Sequence, residues 1–376
     1  MTRHNALPNL NADNGNFLSR ARRALRHEIS DLRVAFNQVG AHIYKLHNQP
    51  PDPFGLGNRI TYNVGDHWQS IPYMVDDMHV PCVHAPPPDE ANPSFRITMV
   101  TGLKGMTPYL RDQIRIINKL GGSVTCINFP DPVREVNFLP HYEHIMRNIT
   151  VEKPPELPED KEGVPHILIT HSTAGMLGLL EQSRKRDAEI IGQRYNGVIH
   201  LSPMLSSSHR ENKITKWGYK LWSAIFPDQY YGALLPDRIH TALQCLSGHP
   251  DYIDNKRDKD CISRLKKAFN EVAGTAQDGF IQYNPTHRQS QYMIDHSEEI
   301  ASHLLRHGFP EELSLTPTRI IYGTQEFVSN PNMINYVYNR MQHSLAHKND
   351  DETLYLGLIP ISGGGHSLLH NDSRTR

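Results

Sequence analysis

"HILITHSTAGMLGLL", residues 166–180, passes from a β-branched apolar run through a short polar turn straight into an apolar helical pattern. The first part reads as a buried strand ending near Thr170, and the part from Ala174 to about residue 186 reads as its helix. Ser172 stands at the corner between them. A serine hydroxyl is a poor nucleophile until a base takes its proton and amide donors stand ready for the oxyanion. A tight strand-to-helix turn serves both needs, because it pushes the side chain outward and aims the first N–H groups of the helix at the reacting oxygen. The nucleophile-elbow pattern is G-x-S-x-G, and here it reads Thr170-His171-Ser172-Thr173-Ala174. Ala174 is nearly as small as glycine, whereas Thr170 puts a β-branched side chain where strand and helix pass closely. Taken alone, these five residues also fit a serine that merely caps a helix.

The surrounding rhythm weighs on that choice. Strands are expected at 95–102, 123–129, 166–170, 196–203, 318–323 and 353–361, with helical patterns between them. In "TPYLRDQIRIINKLGG", Thr107 can cap, Pro108 suits the first helical position, Leu110, Ile114 and Ile117 share one face, and Gly121–Gly122 stop the helix. The alternation favours an α/β fold, a mostly parallel sheet with helices on both faces. Residues 16–47 read as an N-terminal helix, and the breaker-rich segments at 47–58 and 84–93 make residues 1–94 a helix and linker. The core then covers 95–204 and 316–376. The rhythm breaks between 205 and 315, which reads as an inserted, largely helical cap over the carboxyl ends of the strands.

A serine nucleophile needs an acid and a base in a set order along such a sheet. "RIIYGTQEFVSN" puts Glu326 just past a strand end as the only acid between 318 and 330. "LIPISGGGHSLLHND" puts His366 after the last strand, in a glycine-rich loop that can bring an imidazole to the serine. Serine, acid, histidine is the chain order met by the three at their stations. The oxyanion donors are expected to be the backbone N–H groups of Thr173 and of Leu103, the latter in "VTGLKG" after the strand at 95–102.

Composition narrows the remaining classes. A net charge of −1 over 376 residues supplies no basic field for nucleic acid. The four cysteines show no C-x-x-C spacing, which argues against a zinc site or a disulfide framework and for a reducing compartment. No apolar run reaches the length of a spanning helix, and "MTRHNALPNLNADNGNF" has no signal-peptide core, so a cytoplasmic location is expected. "HYEH" at 141–144 lacks the H-E-x-x-H spacing of a metal hydrolase.

With these elements in place, "VTGLKGMTPYLRDQ", "LITHSTAGMLGLL", "GVIHLSPML", "GTQEFVSN" and "ISGGGHSLLHNDSRTR" together resemble the lysophospholipase and monoacylglycerol lipase branch of the α/β-hydrolases, a group related to the S33 serine aminopeptidases. The cap segment "NPTHRQSQY", 284–292, is similar to a family motif, one residue shorter and with Gln291 where arginine is usual. The resemblance covers about residues 95–376. It implies the α/β-hydrolase fold, with Ser172 as nucleophile, Glu326 as orienting acid and His366 as base, and no cofactor or metal. It implies cleavage of a carboxylic ester or lipid through an acyl-enzyme. The aromatic cap residues Trp217, Trp222 and Phe226 fit either the lining of an acyl pocket or plain core at near-helical spacing, and the cap is a candidate for contact with a membrane surface. A binding scaffold without catalysis, or a peptidase or amidase on the same framework, are the alternatives. Thr170, the Glu in place of Asp at 326, and the short segment after His366 depart from the family pattern.

Overall fold

The computed structural model describes residues 68–87, 92–102, 110–130, 137–155, 163–206, 287–324, 329–345 and 356–362. Eight strands form one sheet: β1 (Gln69–Val75), β2 (Met78–Ala85), β3 (Phe95–Thr101), β4 (Gly122–Asn128), β5 (His166–His171), β6 (Gly197–Leu201), β7 (Thr318–Gly323) and β8 (Leu356–Ile361). Their spatial order is β1-β2-β4-β3-β5-β6-β7-β8. Strands β3 to β8 pair in parallel, while β2 runs antiparallel to both β1 and β4.

The helices are α1 (Arg111–Lys119), α2 (Leu139–Arg147), α3 (Thr173–Gln182), α4 (Lys185–Arg194), α5 (His287–His307) and α6 (Pro331–Leu345), with a π turn at Asn148–Glu152 and a 3-10 turn at Glu311–Leu315. Side chains alternate between the two sheet faces, as a period of two requires. Ile97, Met99, Val124 and Cys126 pack with Leu110 and Ile114 on the face that α1 covers. Val100, Ile127, Leu168, Val198 and Ile320 face the larger cluster formed with α2, α3, α5 and α6. Burial on both faces explains why the middle strands read as continuous apolar runs.

Leu110, just before α1, and Ile114 and Ile117 within it form the expected apolar face, and Gly121 follows the helix with φ +83°. Two expectations are corrected. Residues 1–94 are not all helix and linker, because 69–85 form the β1–β2 hairpin that extends the sheet. Its prolines disguised it. Pro72 and Pro81 face each other in register, β1 is an edge strand, and Pro81 lies one residue outside the β2–β4 ladder, so that ladder does not call on the missing N–H. The second correction concerns the helix read over 174–186, which is two helices. The Ser183 hydroxyl donates to the Leu180 carbonyl at 2.7 Å, a local bond that competes with the helical ladder, and Arg184 is extended at φ −97°, ψ 124°.

Helix α5 lies inside the stretch read as a cap, yet its Ile300, Ala301 and Leu304 belong to the larger core cluster. The N-terminal helix expected at 16–47 falls outside the described residues, as does 207–286 of the cap. Among the described residues, no helix is long and apolar enough to cross a membrane.

Candidate active site

Ser172 is the one residue between the end of β5 and the start of α3, and it takes φ 57°, ψ −117°. A non-glycine residue held there stores on the order of 1–3 kcal/mol, which the surroundings must offset. Three backbone bonds do so. Ser172 donates its N–H to the Leu201 carbonyl at 3.0 Å, and its own carbonyl accepts from Met176 at 3.1 Å and from Met204 at 3.0 Å. The elbow is therefore tied to the end of β6 as well as to its own helix.

Thr173 is the first residue of α3, so its N–H has no acceptor within the helix and is available to an oxyanion beside Ser172. Its hydroxyl donates to the Met293 sulfur of α5 at 3.5 Å. On the other side, Gly102, the residue after β3, lies against the serine. A Cβ at that position would stand 2.5 Å from Ser172 Cβ, 2.8 Å from the His171 carbonyl oxygen and 3.1 Å from Ser172 Oγ. Only glycine lets the chain pass that close. Leu103, expected to supply the second donor, follows Gly102 directly but lies outside the described residues.

Thr170, the apparent misfit in the elbow, is accommodated by its neighbours. It lies in register with His200 on β6, and its hydroxyl meets His200 Nδ1 at 2.7 Å. His200 Nε2 meets Gln182 Oε1 at 2.8 Å, Gln182 donates to Thr318 Oγ1 at 3.1 Å, and Thr318 donates to the Thr316 carbonyl at 3.1 Å. Glycine occurs on the helix instead of the strand. A Cβ at Gly178 would come within 2.9 Å of His200 Cε1, and one at Gly175 within 3.0 Å of Pro203 Cα. Burial pushes the His200 imidazole down to about 3, so the ring is neutral across the physiological range. The close passage of helix over sheet that the elbow glycine provides is here provided by Gly175 and Gly178.

Glu326 and His366 lie outside the described residues, as do Trp217, Trp222 and Phe226. Strands β5, β7 and β8 run parallel, with Thr170, His200, Ile320 and Leu358 in register across the sheet. The segments that follow β7 and β8 thus leave from the same sheet edge as Ser172. With about 4.8 Å between neighbouring strands, β7 is about 10 Å from β5.

A feature that the sequence reading passed over is the approach of α5. Besides Met293 against Thr173, Tyr292 packs edge-on against Phe138 at 5.8 Å, Phe138 against Tyr142 at 4.9 Å, and Tyr142 stacks on Phe129 at 4.4 Å. An aromatic row thus runs from the carboxyl end of β4 to the helix beside the elbow. Tyr292 closes the segment "NPTHRQSQY", and that motif was the available signal. His144 of the "HYEH" stretch is engaged elsewhere, 2.9 Å from Asp76.

A solved lipase in its open form is similar to this chain at 12% sequence identity, with a TM-score of 0.50 over 82% of this chain and 94% of that one. That likeness and the strand order decide the architecture. The fold is that of the α/β-hydrolases. A monoacylglycerol lipase of Paleococcus ferrophilus, at 16% identity and TM-score 0.46, covers 77% of this chain and is itself covered over 91%. A soluble variant of monoglyceride lipase from Saccharomyces cerevisiae in complex with a substrate analogue, at 13% identity and TM-score 0.48, matches over 83% and 91% respectively. No protein-family model and no curated protein sequence matches the chain.

Proposed function

We propose that this chain is a serine hydrolase that cleaves carboxylic esters through an acyl-enzyme, of the lysophospholipase or monoacylglycerol lipase kind. The observation that carries the reading is the backbone of Ser172. A serine held at φ 57°, ψ −117° between a parallel strand and a helix, with the helix's first N–H beside it, supports a nucleophile over an ordinary cap. Helix caps sit in the extended region at no such cost.

In the proposed mechanism His366 takes the Ser172 proton as the hydroxyl attacks the ester carbonyl. Glu326 holds the imidazole in the productive tautomer, and the N–H groups of Thr173 and Leu103 receive the negative charge that develops on the carbonyl oxygen. His366 then protonates the leaving alcohol, and water releases the acid by the same steps in reverse order. No metal or organic cofactor enters. The lipid or ester substrate, a cytoplasmic location and contact of the cap with a membrane surface belong to the same reading. Thr170, which favoured a binding scaffold, no longer does so once its hydroxyl is paired to His200.

The test is labelling of the purified protein with a fluorophosphonate probe, with the adduct located by mass spectrometry. Modification of Ser172, absent from Ser172→Ala, is the expected result. A folded, unlabelled protein overturns the nucleophile assignment.

A further inference from the structure

We propose that Thr170 and His200 are positioning residues for Ser172: a hydroxyl–imidazole clamp across β5 and β6 that fixes the strand pair from which the elbow turns. The inference rests on the reading of Ser172 as nucleophile and deepens it.

The buried chain from Thr170 to Thr316 has one arrangement of protons. Its far end is a carbonyl, which can only accept, so Thr318 Oγ1 donates to Thr316 and accepts from Gln182 Nε2. The other end of the amide, Gln182 Oε1, then accepts from His200 Nε2. A neutral ring protonated at Nε2 has a bare Nδ1, and that atom accepts the Thr170 hydroxyl. Every group in the chain thus has one role. His200 and Thr170 are both fully buried, so removing the hydroxyl strands Nδ1 away from water.

The clamp acts on the elbow through the strand pair. Thr170↔His200 is followed by His171↔Leu201, and the Leu201 carbonyl holds the Ser172 N–H. The separation of β5 and β6 at the clamp therefore sets where that carbonyl stands, and with it the turn that aims the serine. Gly178 keeps the space for the imidazole on the helix side. Valine at 170 preserves shape but not the bond. Serine preserves the bond.

The experiment compares Thr170→Val and Thr170→Ser with the wild type. It measures the rate of fluorophosphonate labelling, kcat and KM on a short p-nitrophenyl ester, and the tautomer of His200 by NMR of protein labelled with 15N-histidine, the signal assigned by its loss in His200→Gln. The clamp predicts that Thr170→Val lowers labelling and kcat on the order of tenfold, with KM within about twofold, as expected of a misaimed nucleophile. Thr170→Ser should restore most of the loss. The His200 ring should stay neutral and protonated at Nε2 from about pH 5 to about pH 9. A Thr170→Val protein that labels and turns over as the wild type does, or a His200 protonated at Nδ1, overturns the clamp. If Thr170→Val does not fold, Gln182→Met cuts the chain at its other end, and an unchanged tautomer together with unchanged kcat overturns the clamp equally. Failure of the wild type to label at Ser172 instead strikes the nucleophile reading, a result distinct from a labelled wild type whose Thr170→Val variant is unaffected.

Discussion

Gly102 is the residue at which this site tolerates least. A methyl group there would meet Ser172 Cβ and the His171 carbonyl at 2.5 and 2.8 Å, and neither is the end of a flexible side chain that could swing away. Gly102→Ala must push the end of β3 off the elbow and carry the expected Leu103 donor with it. A shift of about 1 Å in such a constellation costs on the order of a hundredfold in rate. Esterase turnover of Gly102→Ala should fall by that order while circular dichroism reports a folded chain. Turnover within a few-fold of wild type would show that the oxyanion donors are not set by this approach. At the same scale, Glu326→Gln should lower kcat strongly, toward the roughly ten-thousandfold loss seen when a triad acid becomes an amide. An unaffected kcat would move the orienting acid to another residue. Position 170 shows why single residues are hard to read in a sequence. The threonine breaks the elbow pattern, and the histidine and glycine that accommodate it lie 30 and 8 residues along the chain, joined to it only by the strand pairing and the helix above.

At the scale of elements, α2, α3 and α4 meet around Glu181, whose side chain is fully buried. Arg184 reaches it at 2.6 Å and Arg147 at 3.9 Å, while Arg147 also forks onto Asp187 at 3.0 and 3.3 Å. Burial raises the Glu181 carboxyl to about 8, the neighbouring Asp187 carboxylate adds to the rise, and the two guanidinium groups oppose it. The folded protein thus keeps this proton over a range in which the unfolded chain has lost it. Stability from the group is full below about pH 4.5 and falls as pH rises toward about 8, by up to ~1.4 kcal/mol per pH unit. Glu181→Gln mimics the protonated acid and removes the dependence. It should melt close to wild type near pH 4.5 and increasingly above it as the pH rises, on the order of 5–10 °C above it near pH 8, by calorimetry. Parallel curves for the two proteins would mean that Glu181 is ionised throughout. The elements themselves were legible where the apolar period was clear, as in α1 and in strands β3 to β8, while the cap expected at Thr107 and Pro108 lies outside the described residues and α1 starts at Arg111. The β1–β2 hairpin was not, because paired prolines read as linker until the register shows that they face each other.

For the whole molecule, the alternation of strands and helices around the strand-to-helix corner at Ser172 made the α/β-hydrolase architecture legible. The cap boundary was less so, because nothing in the pattern of α5 separates a helix that joins the core from one that covers a site. Helix α5 does both. Its carboxyl-terminal half contributes Ile300 and Leu304 to the core, and its amino-terminal half brings Met293 to Thr173 and Tyr292 to Phe138. Under the proposed reading, the acyl chain of an ester held at Ser172 should therefore run along an apolar wall of Met293 and Tyr292. Each buried methylene contributes about 0.8 kcal/mol, so a wall of that extent favours medium or long acyl chains by severalfold for each carbon added until the pocket ends. A series of p-nitrophenyl esters from acetate to dodecanoate should show kcat/KM rising and then levelling, and Met293→Ala should flatten the rise while changing acetate hydrolysis little. A flat wild-type profile would remove the lipid assignment and leave a small-ester hydrolase. A steep profile untouched by Met293→Ala would instead move the acyl channel away from α5, to a wall that does not include it.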